Sequence, residues 1–364
     1  MLRAVRGWDW IPQGLSGSEN ARLLAADRFY SSASNGYFGN FNSVGRFGFG
    51  GCLNWALAPG NLDANQIVGL TGSSRATNTM GCAVFVDQAN NAYDWVTFFD
   101  AVTGAPQLSF YFAEYGVIKV YRGYPYSGTL LVASQPGSFQ EDEWFYFEAK
   151  ATIDATAGAV ECRVNTATVI SLVAANTMAT LNAFADSYGF GVARGPTFGN
   201  AAFVKFDDFY FNDDTGSYNN GFLGNCRVMT QKVAGNSTPQ DFTIGGSSPA
   251  ATAWQSLLNA NLDDTKYLFD NTAGHKSLFT IEAIINAPMV FGIQISGAYR
   301  QDDATQRTAR NVIKSGSTTA EGGDQLTNQT YTMYKDIWEI NPATSVGFTG
   351  AELNALLIGP KEQA

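Results

Sequence analysis

Apolar and polar residues alternate along much of this chain, and the period is two. In the run WFYFEAKATI, Phe145, Phe147, Ala149, Ala151 and Ile153 fall on one face. Glu148, Lys150 and Thr152 fall on the other. That is the pattern of a β-strand with one side buried. Similar runs predict strands at 46–57, 66–71, 81–87, 94–100, 108–112, 116–122, 130–134, 159–165, 187–193 and 202–211. Turn signals separate them: Asn35-Gly36, Pro59-Gly60, Thr103-Gly104, Tyr126-Ser127-Gly128 and Pro136-Gly137. Strands with turns every ~8–12 residues point to a sandwich or jelly roll. No amphipathic helical pattern of convincing length interrupts them. Residues 176–186 read as one short helix or an irregular loop.

The aromatic strand pattern pauses between about Met229 and Ser248, in a stretch rich in Gly, Ser, Pro, Asn and Thr. We read it as a connector between a domain at 1–228 and a smaller one at 229–364. The second resumes with strands at 277–281, 290–299, 308–315 and 331–340. Its end changes period. Thr349 stands as N-cap with Glu352 at N3, a capping box, and Leu353, Leu356 and Leu357 share a helical face. Gly359-Pro360 is then expected to stop the helix. No repeat of 20–50 residues is visible, which disfavours a solenoid or propeller. The expected class is all-β: a jelly-roll sandwich followed by a second β-sandwich with a short C-terminal helix.

Composition supports that reading. Of 364 residues, 13% are aromatic, 38 are Gly and only 15% are charged, against roughly 25% charged in ordinary globular chains. The net charge is −10 and no Lys/Arg cluster stands out, so nucleic acid is excluded as a partner. The four cysteines are too widely spaced for a zinc site and read as free thiols; Cys162, on one face with Val160 and Val164, reads as a small buried hydrophobe. Residues 1–10 lack the apolar core of a secretory signal, and no stretch reaches the ~18 apolar residues of a membrane span. These features predict synthesis in a reducing cytoplasm without membrane insertion.

Little in the chain invites catalysis. His275 is its one histidine, set in a turn (TAGHKS) with no GxSxG elbow. The paired-carboxylate strand ExDxxE of β-sandwich glucanases is absent, and Glu141-Asp142-Glu143 reads as a solvated turn. The chain is therefore expected not to be an enzyme. The acidic stretch FDDFYFNDD offers Asp207 and Asp208 as the best calcium candidates, with Asp263-Asp264 behind them. It is no EF-hand, and neighbours on a strand point to opposite faces, so one of the two aspartates could serve a given ion. No other cofactor is expected. The glycine cluster 45–51 lacks a P-loop signature and reads as close backbone approach or a bulge. Tyr121, Tyr124 and Tyr126 in VYRGYPYSG are candidates for a sugar platform or a protein contact.

The stretch 116–172 resembles concanavalin A-like, laminin-G-type jelly rolls: two strands, a turn, a W-x-x-x-E strand, a hairpin and a strand like GAVECRVN. The order RGWDW, GRFG (Gly45 to Gly48), KFDDFYFND, FLGNCRV, AWQSLLNANLDDTKYLF, VFGIQISGAYRQDD and IWEINPATSVGFTGAELNALLIG resembles that of tailed-phage virion proteins of this type. One departure is Asn165-Thr166, where an Asn-Gly turn is common. The resemblance implies a virion structural protein, made in the host bacterial cytoplasm. It would be tail-associated, at tip, baseplate or fibre, acting in assembly and host-surface contact. Its implied partners are other virion proteins, further copies of itself and a host-surface glycan. Alternatives are a capsid decoration or head-fibre protein and a lectin-like carbohydrate-binding module. A polysaccharide hydrolase or lyase is the reading the absent catalytic groups weigh against.

Overall fold

A computed structural model describes residues 1–11, 17–27, 29–31, 44–48, 50–57, 65–87, 92–194, 202–258, 262–284, 289–303 and 305–363. The expected turns at Asn35-Gly36 and Pro59-Gly60 lie outside the described residues. Two compact units emerge: Met1–Leu24 with Phe29–Met229, and Ala25–Arg28 with Thr230–Ala364.

The first unit begins with β1 (Leu2–Arg6), helix α1 (Gly17–Ala26), β2 (Phe29–Ser31), β3 (Leu53–Leu57), β4 (Asn65–Arg75) and β5 (Thr77–Val86). It continues with β6 (Ala92–Asp100), β7 (Ala105–Ala113), β8 (Val117–Arg122), β9 (Thr129–Ala133) and β10 (Trp144–Thr152). Last come β11 (Gly158–Val164), β12 (Ala167–Ala175), β13 (Ala185–Arg194) and β14 (Ala202–Asp213). They form two seven-stranded antiparallel sheets. One runs β1-β14-β5-β10-β11-β12 with β3 beside β14; the other runs β2-β4-β13-β6-β7-β8-β9. Aromatic residues from both inner faces fill the space between them. Phe110 meets Phe147 at 5.6 Å, Phe112 meets Phe145 at 5.6 Å, and Tyr188 meets Phe209 at 4.4 Å. This is an all-β sandwich, as the alternation predicts.

Two details differ from expectation. The run 46–57 is not one strand: Val44 bridges Gly51, and pairing with β14 begins at Leu53. Gly50 explains the break, since it holds φ +74° and a Cβ there would lie 1.8 Å from Asp9 Oδ1. Helix α1, which the pattern did not announce, buries Leu23 and Leu24. Residues 176–184 contain no helix. The β11–β12 turn places Asn165 at φ +47° and Thr166 at +75°. Both are left-handed, as a two-residue type I′ turn requires, and Thr166 carries strain an Asn-Gly pair would lack.

The sheet edges are managed by shape. Edge strand β2 has three residues, while β1, β9 and β12 each carry a register shift against their only partner.

The second unit contains β15 (Val233–Gln240), β16 (Thr243–Gly245), α2 (Ala253–Ser256), β17 (Tyr267–Phe269), β18 (Ser277–Ile281) and β19 (Ile293–Tyr299). β20 (Thr308–Ser315), β21 (Thr318–Glu321), β22 (Gln325–Leu326), β23 (Thr332–Trp338), α3 (Gly350–Asn354) and β24 (Leu357–Glu362) complete it. Its main sheet runs β15-β18-β24-β20-β21, with β22 beside β20; β16-β17 and β19-β23 form two-stranded sheets. Ile295, Ile313, Phe348, Leu353 and Leu356 make its core. The capping box at Thr349 and Glu352 is present. However, α3 ends at Asn354, and Gly359-Pro360 lies inside β24 rather than terminating a helix.

Candidate functional site

Strands β13, β6, β7 and β8 are neighbours, so their register brings side chains into rows on the outer face of the second sheet. One row reads Gly191, Trp95, Tyr111 and Lys119; the next reads Gly189, Thr97, Ser109 and Tyr121. The residues between them, including Val96, Phe98, Phe110 and Val120, enter the core. Gly191 shapes the first row. A Cβ there would sit 2.2 Å from Trp95 Cε2, so only glycine lets the indole lie across β13.

The loop after β8 turns back on itself, with Gly128 N–H donating to Tyr124 O at 2.6 Å. Within it, the Tyr124 and Tyr126 rings stack, with centroids 5.2 Å apart and planes at 20°. Tyr126 also tilts against Trp95 at 6.0 Å. Tyr126 is 47% exposed while Trp95 is fully buried, so the aromatic group runs from solvent into the sheet. Burial raises the phenol pKa of both tyrosines, with Tyr124 adding to the shift at Tyr126. Both therefore keep their hydroxyl proton at neutral pH. Lys119 Nζ stands 5.8 Å above the Tyr111 ring. Two buried polar atoms in these rows, Trp95 Nε1 and Thr97 Oγ1, have no hydrogen-bond partner among the described residues.

The structure thus joins Tyr124 and Tyr126 and sets Tyr121 on the same face, in the adjoining row. Sequence reasoning missed Trp95, Thr97, Tyr111 and Lys119. The signal was the alternation in YDWVTFF, which puts Trp95 and Thr97 on one side of β6.

Asp207 and Asp208 fold differently from the expectation of opposite faces. A register shift follows Asp207 in β14, and Asp208 holds φ +50°. The bulge turns both carboxylates towards Arg46. Its backbone N–H donates to Asp207 Oδ2 at 3.0 Å, and its Nη1 lies 3.5 Å from Asp208 Oδ2 and 3.3 Å from Cys226 O. Val228 N–H donates to Asp208 Oδ1 at 2.8 Å, Asp208 N–H to Asp207 Oδ1 at 2.8 Å, and the Tyr146 hydroxyl to Asp208 O at 3.0 Å. The oxygens that calcium would need accept hydrogen bonds instead. Burial, reinforced by Asp208, pushes the Asp207 carboxyl up to about 7. Burial also raises Asp208, against the opposing pull of the Val228 N–H and Arg46. Asp264 pairs with Arg300 at 2.9 Å. Among the described residues, no three of His, Cys, Asp and Glu gather as a metal site would need.

His275 is held in its turn by Asp270, Nδ1 to Oδ2 at 2.9 Å; that hydrogen bond raises the imidazole pKa. Among the described residues, no helix is long and apolar enough to cross a membrane.

No family model matches this chain, and no curated protein does. Solved structures do. Alginate lyase Aly36B is 10% identical with a TM-score of 0.37, over 57% of this chain and 96% of that one. Carbohydrate-binding module CBM66 from Bacillus subtilis is 10% identical with a TM-score of 0.32, over 55% and 97%. A prokaryotic β-1,3-1,4-glucanase (lichenase) derived from a mouse hindgut metagenome is 10% identical with a TM-score of 0.37, over 57% and 97%. The expectation that this chain is not an enzyme is corrected by these likenesses. Two of the three, a lyase and a lichenase, are enzymes. At such identities and TM-scores the likenesses give this chain no activity. Each of these three likenesses spans a little over half of this chain, at TM-scores below 0.4.

Proposed function

We propose that the protein binds carbohydrate on the outer face of its second sheet. The observation that carries this reading is the Tyr124–Tyr126 stack against Trp95, beside Trp95 Nε1 and Thr97 Oγ1, which have no hydrogen-bond partner among the described residues. Aromatic faces receive the apolar faces of sugar rings. A glycan array and calorimetry, each with and without calcium, test the reading. Tyr126→Ala should weaken binding about tenfold or more, the loss of ~1.4 kcal/mol of stacking. An array without hits under both conditions would sink it.

The motif order favours a compatible setting, the surface of a tailed-phage particle. Four of the motifs behind that resemblance lie together. Asp9 Oδ1 accepts from Gly51 N–H at 3.0 Å beside the glycine cluster, which Arg46 ties to Asp207, Asp208 and Cys226. Mass spectrometry of purified particles should detect the protein, and its absence would end the idea. Particle imaging separates tail from capsid and counts copies.

A further inference from the structure

The charge and the hydrogen-bonding inventory of the same face point to a kind of sugar. Of the eight residues in its two rows, one is charged at neutral pH, and it is Lys119. This stands against a chain that carries −10 overall. Lys119 has no carboxylate partner among the described residues; its ammonium rests above Tyr111. Arg122 ends the same strand and reaches Thr129 Oγ1 at 3.4 Å, at the base of the tyrosine loop. Trp95 Nε1 only donates, Lys119 only donates, and Thr97 Oγ1 can do either. The unsatisfied chemistry is therefore mainly that of donors, with a cation at one end.

We infer that the site selects sugars bearing a carboxylate over their neutral counterparts, a reading that rests on the carbohydrate-binding proposal above. A carboxylate offers two oxygens with about four acceptor positions and no donor. Its hydrogen bonds to an ammonium are roughly twice as strong as those between neutral groups. The ring would stack on Tyr126 and Tyr124 while the carboxylate reaches towards Lys119.

Calorimetry of the full chain with matched tetrasaccharides tests this: galacturonate against galactose, glucuronate against glucose, mannuronate against mannose. In at least one pair the uronate should bind about tenfold tighter at low salt, as one charge-assisted contact would give. Added salt should shrink that ratio. Lys119→Gln should bring it close to one, with the melting temperature unchanged, while Tyr126→Ala weakens both members of the pair. Equal or tighter binding of the neutral sugar in every pair would overturn the inference and leave the carbohydrate-binding reading standing. So would a ratio that survives Lys119→Gln. Failure of every sugar to bind would overturn both.

Discussion

A carboxyl group that gives up its proton near neutrality stands at the bulge of β14. Asp207 is buried, and its neighbour Asp208 is a second acid beside it, so ionisation is held off until about pH 7. In the unfolded chain an aspartate ionises near 3.9. Between those values the folded state binds the extra proton, so stability falls as pH rises. The contribution is whole below about pH 4 and is lost as pH passes 7. Urea unfolding should therefore show the first unit losing on the order of 3 kcal/mol across that window. Asp207→Asn, which cannot ionise, should flatten the dependence; an equally steep curve in the variant would contradict this account. Asp213 has the opposite sign. Burial opposes its ionisation, but Thr215, Arg3 and Ser73 outweigh burial and hold it at about 2. Its contribution is present above about pH 4 and is lost as pH falls towards 2. The sequence marked Asp207 and Asp208 as special, but strict alternation put them on opposite faces. A bulge depends on the partner strand, and no local pattern announces it.

Among the elements, β10 shows both the reach and the limit of periodicity. Its core face is as predicted, with Phe145, Phe147, Ala149 and Ala151 buried. Glu148, on the other side, is equally buried, because residues 221–228 return across that face. Glu148 Oε1 accepts from Leu223 N–H at 3.1 Å, Gly224 N–H at 2.9 Å and the Tyr210 hydroxyl. The guanidinium of Arg163 stacks on Phe222 at 3.9 Å. Glu148→Ala strands three donors, and at 1–3 kcal/mol each the cost should be about 3 kcal/mol or more. Thermal unfolding should record that loss, and limited proteolysis should cut near 221–225 in the variant first. A variant as stable and as resistant as the parent would refute this role for the carboxylate. Local signals were sufficient for the cap of α3, where Thr349 and Glu352 act within one turn. They failed at its end, since Leu357–Glu362 is claimed by ladders to β18 and β20. The tyrosine loop was legible because Tyr124 and Tyr126 flank a proline two residues apart. Trp95 was not, because its placement depends on Gly191, distant in sequence.

For the whole molecule, the class of fold followed from alternation, turn residues and a low content of charge. In the first unit the strands missed were β1, β2 and β12, and in the second β15, β16, β17, β21, β22 and β24. Most of these are short, and β12 (ATVISLVAA) carries its two polar residues, Thr168 and Ser171, three apart, so it shows no period of two. The bent and abbreviated borders of the two sheets carry one more consequence. β9 and β12 contain no charged residue, so repulsion does not guard them against a stray strand. Their kinks do that work: a straight visitor finds donors and acceptors out of step after a few positions. Many molecules can then stand side by side, each presenting its aromatic face, without fusing into fibres.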